Sequence, residues 1–314
     1  MYPIDMEKII VTGINGFVGN HLVDALITEN YEVVGVGREE SLSAELADRV
    51  QEYHSCDLGN YEEVAKLPLK DVKGIINLAG LAAVGPSFDN PELYMRVNTA
   101  VLDTVCKAAI EQNATNIRII SISSGAVYSS KQPMPLGEES KLAPESSPYA
   151  ASKIAMEELS LKYREQDLDC VVARPFNHIG PGQLPGFILP DLFKEISSLS
   201  EGEILKVGNL TTKRDYTDVR DVAKAYVSLI SAKTLNHGIY NVCTGRSLSG
   251  EYILEKLKEG LGVPTLIHEV DETRFRPSDA PDLYGDSSKL QADTGWTPQI
   301  PIEQTIQDFI AWAK

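Results

Sequence analysis

"KIIVTGINGFVG", residues 8–19, decides the fold. The apolar run Ile9, Ile10 and Val11 reads as a buried strand. It enters a glycine turn and then a pattern with Phe17, Val18, Leu22, Ala25 and Leu26 at helical spacing. A glycine pattern carries weight in this strand–turn–helix setting, and little outside it. Gly13 permits the tight turn, Gly16 admits a close backbone approach by a pyrophosphate, and Gly19 lets the helix lie against the sheet. The free N–H groups where the helix opens, around Asn15, Phe17 and Val18, would face the phosphates of a dinucleotide.

Outward from this turn, short apolar runs alternate with helical patterns. "YEVVGVG", "VQEYHSCDL", "VKGIINLAG", "NIRIISISS" and "LDCVVARP" read as strands. "PELYMRVNTAVLDTVCKAAIEQN" and "PYAASKIAMEELSLKYREQ" read as helices. Such alternation predicts a doubly wound parallel sheet, an α/β Rossmann fold. After Pro175 the texture changes. "RPFNHIGPGQLPG" is dense in Pro and Gly, and shorter mixed elements follow. The expected division is a dinucleotide-binding domain over residues 1–176 and a smaller mixed α/β substrate-binding lobe over 177–314. Residues 214–243 are expected to pack back onto the first.

The chain has 314 residues, enough for a large core, and 43% of them are hydrophobic. Its formal charge of −16 argues against nucleic acid or an anionic membrane as partner. Cys56, Cys106, Cys170 and Cys243 are scattered, with no metal or disulfide spacing. They read as buried thiols of a reducing compartment. No signal peptide or apolar run long enough to span a membrane is evident, so the expected location is cytoplasmic, with no bound metal.

The second strand ends in Gly37 and Arg38. An arginine there favours the 2′-phosphate of NADP(H), while the adjacent Glu39 and Glu40 keep NAD(H) open. Asp57 could accept the adenine amino group, or could cap a helix. Leu58, Leu78, Ala79, Gly80 and Pro175, at or just beyond strand ends, complete the cofactor candidates.

Two Tyr-x-x-x-Lys pairs occur, Tyr149/Lys153 in "SPYAASK" and Tyr252/Lys256 in "EYILEK". Ketone reduction needs a proton at oxygen, and an ordinary tyrosine pKa of about 10 is high for that task. A lysine one helical turn away is expected to lower it and to hold the nicotinamide ribose. Only the first pair follows a serine at a strand end, Ser124 in "SISSGAVY", where a hydroxyl could hold a substrate carbonyl. Ser124, Tyr149 and Lys153 are therefore the catalytic candidates, and Tyr252/Lys256 reads as a solvated helix pair.

Together with "NLAGLAAVGPSFDNPELYMRVN", "RPFNHIGPGQ", "KRDYTDVRDVAKAY" and "RPSDAPDLYGDSSKL", these stretches make nearly the whole chain resemble the extended short-chain dehydrogenases/reductases that act on nucleotide-sugars. The resemblance implies a homodimer joined through a four-helix bundle, built here from the helices around 93–109 and 150–163. Dehydratases of this family carry an acid pair, or at least a glutamate, just after the catalytic hydroxyl. Here Gly125 and Ala126 stand there, which argues against dehydration. The 4-epimerases share the "AGL" stretch but typically have lysine at the position of Ala82. "RPFNHIGPGQ" and "VGNLTTKRDYTDVRDVAKAY" look most like GDP-4-dehydro-6-deoxy-D-mannose reductases.

A nucleotide-diphospho-sugar needs cations and N–H donors. Arg214 and Arg276 are assigned to its diphosphate, against surface salt bridges as the plainer alternative. Asn177 is assigned to the phosphate or sugar, against turn chemistry; Lys206 and Asn209 to the guanine pocket. His178 and Arg174 stay open between structural and functional roles, and Trp296 and Trp312 read as core anchors. The expected reaction is NAD(P)H-dependent reduction of a C4 ketone, taking GDP-4-dehydro-6-deoxy-D-mannose to GDP-D-rhamnose. The alternative is a nucleotide-sugar epimerase, at C4 with tightly bound NAD or at C5 of a UDP-4-keto-6-deoxy sugar.

Overall fold

The structure, a computed structural model, describes residues 6–200, 202–274 and 280–314. Strand β1 (Lys8–Thr12) carries its apolar run into the sheet centre, and Ile9, Ile10 and Val11 are fully buried. β2 (Glu32–Gly37), β3 (Glu52–Ser55), β4 (Gly74–Asn77), β5 (Arg118–Ile122) and β6 (Asp169–Pro175) follow, each parallel to its neighbours. The sheet order is β3-β2-β1-β4-β5-β6, extended at the β6 edge by Ile239–Val242, also parallel. This is the doubly wound order, which reverses direction between β1 and β4 and opens a crevice at the carboxyl ends of those strands.

Helices cover both faces, so the inner strands read as continuous apolar runs rather than alternating ones, while the edge strand β3 does not. On one face lie Phe17–Thr28 and Val219–Ser231, packed over Leu22, Leu26, Val222 and Tyr226. On the other lie Pro91–Glu111 and Pro148–Arg164, packed over Leu102, Val105, Met156 and Tyr163. Full burial of each such Leu or Val contributes about 1.5–3 kcal/mol. Thus Val219–Ser231 and Ile239–Val242, late in the sequence, belong to the first core.

A separate core is built from Ile188–Ser198, Gly250–Leu261 and Ile302–Ala313, with Leu189, Leu254, Leu257, Ile306 and Phe309 inside. Trp296 is buried at the first core, and its indole N–H donates to the Asp221 carbonyl at 3.0 Å. Trp312 corrects the expectation of a second anchor. It lies on the outer side of the last helix, 49% exposed. All four cysteines are buried free thiols. Among the described residues no helix is long and apolar enough to cross a membrane.

Candidate active site

The glycine turn closes at the carboxyl end of β1. Gly13 takes a positive φ of 64°, and its N–H donates to the Val36 carbonyl at 2.8 Å. A Cβ on Gly19 would fall 1.9 Å from the Ile14 carbonyl oxygen, so only glycine lets the helix come this near. A Cβ on Gly16 would meet only the Gly13 carbonyl oxygen, at 3.1 Å, and otherwise project into open space. The helix opens at Phe17 with no side-chain cap and no acidic residue in its first turn. Its leading N–H groups are therefore ready for an anion. This cradle fits a dinucleotide pyrophosphate.

The surrounding loops are tied to one another. Thr12 donates to the Asn77 side-chain oxygen at 2.6 Å and accepts the Ala79 N–H at 3.1 Å, fixing Leu78–Ala79 beside Gly13. Asn15 turns from the phosphates to the next loop, donating to Glu39 at 3.3 Å and accepting the Ser43 N–H at 2.9 Å. Phe17 likewise faces the second lobe, its ring stacked on His178 with centroids 5.9 Å apart. His21 donates to the Pro181 carbonyl at 2.8 Å. His178, left open by the sequence, thus joins the glycine turn to the loop that carries Asn177. Burial lowers its pKa. Val18, beside Phe17, is half-buried.

Arg38 is exposed and pairs with no described residue. The Glu39 carboxylate lies 2.7 Å from where a Gly37 Cβ would stand, facing the strand end. Asp57 accepts the Gly59 N–H at 2.9 Å in a tight turn, and Asn60 caps the helix that follows. Leu58 is buried, and its carbonyl accepts from Thr104. Pro175 is buried at the end of β6.

Ser147 caps the Pro148–Arg164 helix by accepting the Ala150 N–H at 3.1 Å, which puts Tyr149 in the first turn at the sheet edge. Ser124 lies just beyond β5; its hydroxyl accepts the Ala126 N–H at 3.1 Å and is near enough to the Tyr149 phenol to pull its pKa down. Tyr149 and Lys153 are 5% and 6% exposed. The Lys153 ammonium donates to the Ile122 carbonyl at 2.8 Å and approaches the Gly80 backbone.

The pKa shifts correct one expectation. The phenol is not lowered but pushed up to about 12, chiefly by burial and against the pull of the nearby Ser124 hydroxyl. Lys153 is brought down to about 8, again by burial, with Glu157 opposing. Desolvation governs both groups, and the lysine points its hydrogen at the Ile122 carbonyl rather than at the phenol. At neutral pH the pair is thus a protonated phenol beside an ammonium, the forms that a proton donor and its electrostatic partner require.

Sequence reading overlooked Asn98. It sits on the buried face of Pro91–Glu111 among Tyr94, Val101 and Leu102, and a polar residue on an apolar stripe was its signal. It accepts the Leu81 N–H at 2.8 Å and donates to Ser152 at 2.9 Å, pinning the loop after Gly80 to the Tyr149 helix.

Asn177 is exposed, at the start of a short strand parallel to Tyr216–Asp218. Arg214 donates to the carbonyls of Lys213 and Ala280, both at 2.7 Å. Lys206 is paired with Glu269 on the neighbouring strand, exposed on the side away from the lobe's core. Asn209 accepts the Thr211 N–H at 3.0 Å and the Thr211 hydroxyl at 2.7 Å through its side-chain oxygen, as turn chemistry does. Arg276 lies outside the described residues.

This fold and edge define an extended short-chain dehydrogenase/reductase of the nucleotide-sugar class. The family model for GDP-mannose 4,6 dehydratase matches residues 10–309, and the chain belongs to that family. It is 30% identical, over 97% of its length and 96% of the relative's, to a GDP-6-deoxy-D-mannose reductase of Pseudomonas aeruginosa. It is 32% identical, over 98% of each chain, to a UDP-glucose 4-epimerase of Mycolicibacterium smegmatis. Among solved structures, RMD from Pseudomonas aeruginosa, complexed with NADPH, superposes with a TM-score of 0.83 at 29% identity, covering 98% of each chain.

Proposed function

We propose that this enzyme reduces the C4 ketone of a nucleotide-diphospho 4-keto-6-deoxy sugar, taking GDP-4-dehydro-6-deoxy-D-mannose to GDP-D-rhamnose. The observation that carries the reading is the buried Tyr149/Lys153 pair at the carboxyl edge of the sheet, with the Ser124 hydroxyl near the phenol and the Lys153 ammonium held by the Ile122 carbonyl beside Gly80. A bound nicotinamide dinucleotide would supply the hydride to C4. Ser124 orients the carbonyl, and Tyr149 donates its proton to the C4 oxygen. The Lys153 ammonium, in its charged form, stabilises the phenolate left behind.

Gly125 separates this reading from dehydration. A Cβ there would lie 2.9–3.0 Å from three atoms of the Phe176 ring, so the site has no room for a glutamate. Arg38, exposed and without a partner among the described residues, and the NADPH held by the Pseudomonas structure favour NADP(H). Glu39 at the end of β2 favours NAD(H), and with it the epimerase reading, in which the cofactor is retained. Asn177 and Arg214 would take the substrate diphosphate. Exposed Phe88, Leu93 and Met95, beside a hollow lined by Pro91, Pro148 and Ala151, support a homodimer through the Pro91–Glu111 and Pro148–Arg164 helices.

The test is cofactor economy. With GDP-4-dehydro-6-deoxy-D-mannose, a reductase consumes one NADPH per product formed. Interconversion of UDP-sugars with no net cofactor consumption, and release of NAD on denaturation, would overturn the assignment in favour of an epimerase.

A further inference from the structure

One turn beyond Lys153, the same helix carries Glu157, which is 3% exposed. Arg174 on β6 grips its carboxylate with two nitrogens, Nε to Oε1 at 2.9 Å and Nη2 to Oε2 at 2.5 Å. The Ser123 hydroxyl also donates to Oε1. The third guanidinium nitrogen donates to the Tyr128 hydroxyl at 2.8 Å and the Glu138 carbonyl at 2.9 Å. Tyr128 in turn donates to the Asn241 side-chain oxygen at 2.7 Å. Arg174 therefore does more than brace a loop.

A buried ion pair of this kind is a poor stability device, since apolar residues of similar volume often serve as well. What it does provide is a carboxylate fixed in place one helical turn from an otherwise desolvated ammonium. Among the described residues the other elements around Lys153 present no charge to it. β5 offers the Ile122 carbonyl, the loop after β4 offers the Gly80 backbone, and its own helix offers the neutral phenol of Tyr149. Glu157 is the charge that opposes the loss of the lysine's proton.

We propose that Glu157, fixed by Arg174 and Ser123, is the positioning residue that keeps Lys153 charged at neutral pH and sets the alkaline limit of the reaction. The inference rests on the assignment of Lys153 above, but its test does not need turnover. The full chain is labelled with 13C at the lysine ε-carbons and titrated by NMR, and the Lys153 signal is identified by its loss in Lys153→Met. Glu157→Gln alone would strand a buried guanidinium, so the variant of choice is Glu157→Gln/Arg174→Met, which removes both charges.

The Lys153 midpoint should fall from about 8 by about one unit or more in the double variant. Glu157→Asp keeps the ion pair, draws the carboxylate back by one methylene, and should move the midpoint the same way by less. The alkaline limb of turnover should shift in step. A Lys153 midpoint unmoved in both variants overturns the proposal. Failure of the wild type to reduce any nucleotide-linked 4-keto sugar would instead overturn the reductase reading and leave the titration result standing.

Discussion

Tyr149/Lys153 and Tyr252/Lys256 have the same spacing and open helices that are both capped by a serine, Ser147 and Ser249. Their surroundings differ entirely. The first pair is buried at a strand edge, and burial lowers the pKa of its lysine. In the second pair, Tyr252 donates to Glu303 and Lys256 is bound to Glu259 at 2.7 Å, which raises the pKa of that lysine. Desolvation governs one lysine, and a carboxylate in water governs the other. A motif four residues long thus says what chemistry is available, and the sheet edge says whether it is used.

The sharpest way to break this contrast is one deletion made twice. Tyr149→Phe removes the proton donor and should lower turnover by about 10²–10⁴-fold, the usual worth of a general acid. Tyr252→Phe, read in the same initial-rate assay, should leave turnover within about twofold of wild type. Equal losses would end the distinction drawn here. The glycine cradle is the second difference, since nothing like it precedes Tyr252. Gly19→Ala forces a methyl against the Ile14 carbonyl and should cost about 1–3 kcal/mol in denaturant unfolding, as overpacking does. Gly16→Ala meets only the Gly13 carbonyl oxygen, at 3.1 Å, so it should cost less stability than Gly19→Ala and weaken dinucleotide binding, read as Kd.

The contrast also predicts a pH profile. The folded pKa of Lys153 is lowered, so its charge is complete only well below about pH 8 and is lost as pH rises through that value. Reduction should therefore decline by up to tenfold per unit above about pH 8. The phenol, held near 12, stays protonated throughout that range. A profile flat to pH 10 would show that the ammonium is not needed.

The sheet was legible because each strand buried on both faces advertises itself as an apolar run, and the glycine turn because its roles are steric. Ile239–Val242, which pairs in parallel with β6, lies within the 214–243 segment expected to pack back on the first domain. The pKa of Tyr149 was not legible. Spacing shows that a lysine is near, but not that both groups lose water together. The Glu157–Arg174 pair was hidden for a similar reason, because its two halves lie seventeen residues apart, on a helix and on the next strand. Lys206 and Asn209 were assigned from motif similarity, and the structure spends both on local partners, Glu269 and Thr211.

The smallest predicted effect concerns two neighbours of opposite charge at the end of β2. Arg38 is exposed and unpaired among the described residues, and Glu39 is drawn in toward the glycine turn by Asn15. If Arg38 holds a 2′-phosphate, Arg38→Ala should weaken NADPH by about tenfold, one charge-assisted contact, and leave NADH unchanged. Glu39→Gln should act on the other cofactor, weakening NADH and relieving repulsion of the 2′-phosphate. Kd values for both dinucleotides with both variants form a four-way comparison. If Arg38→Ala weakens the two cofactors equally, the arginine is not reading the phosphate. The preference would then pass to Glu39, and to NAD.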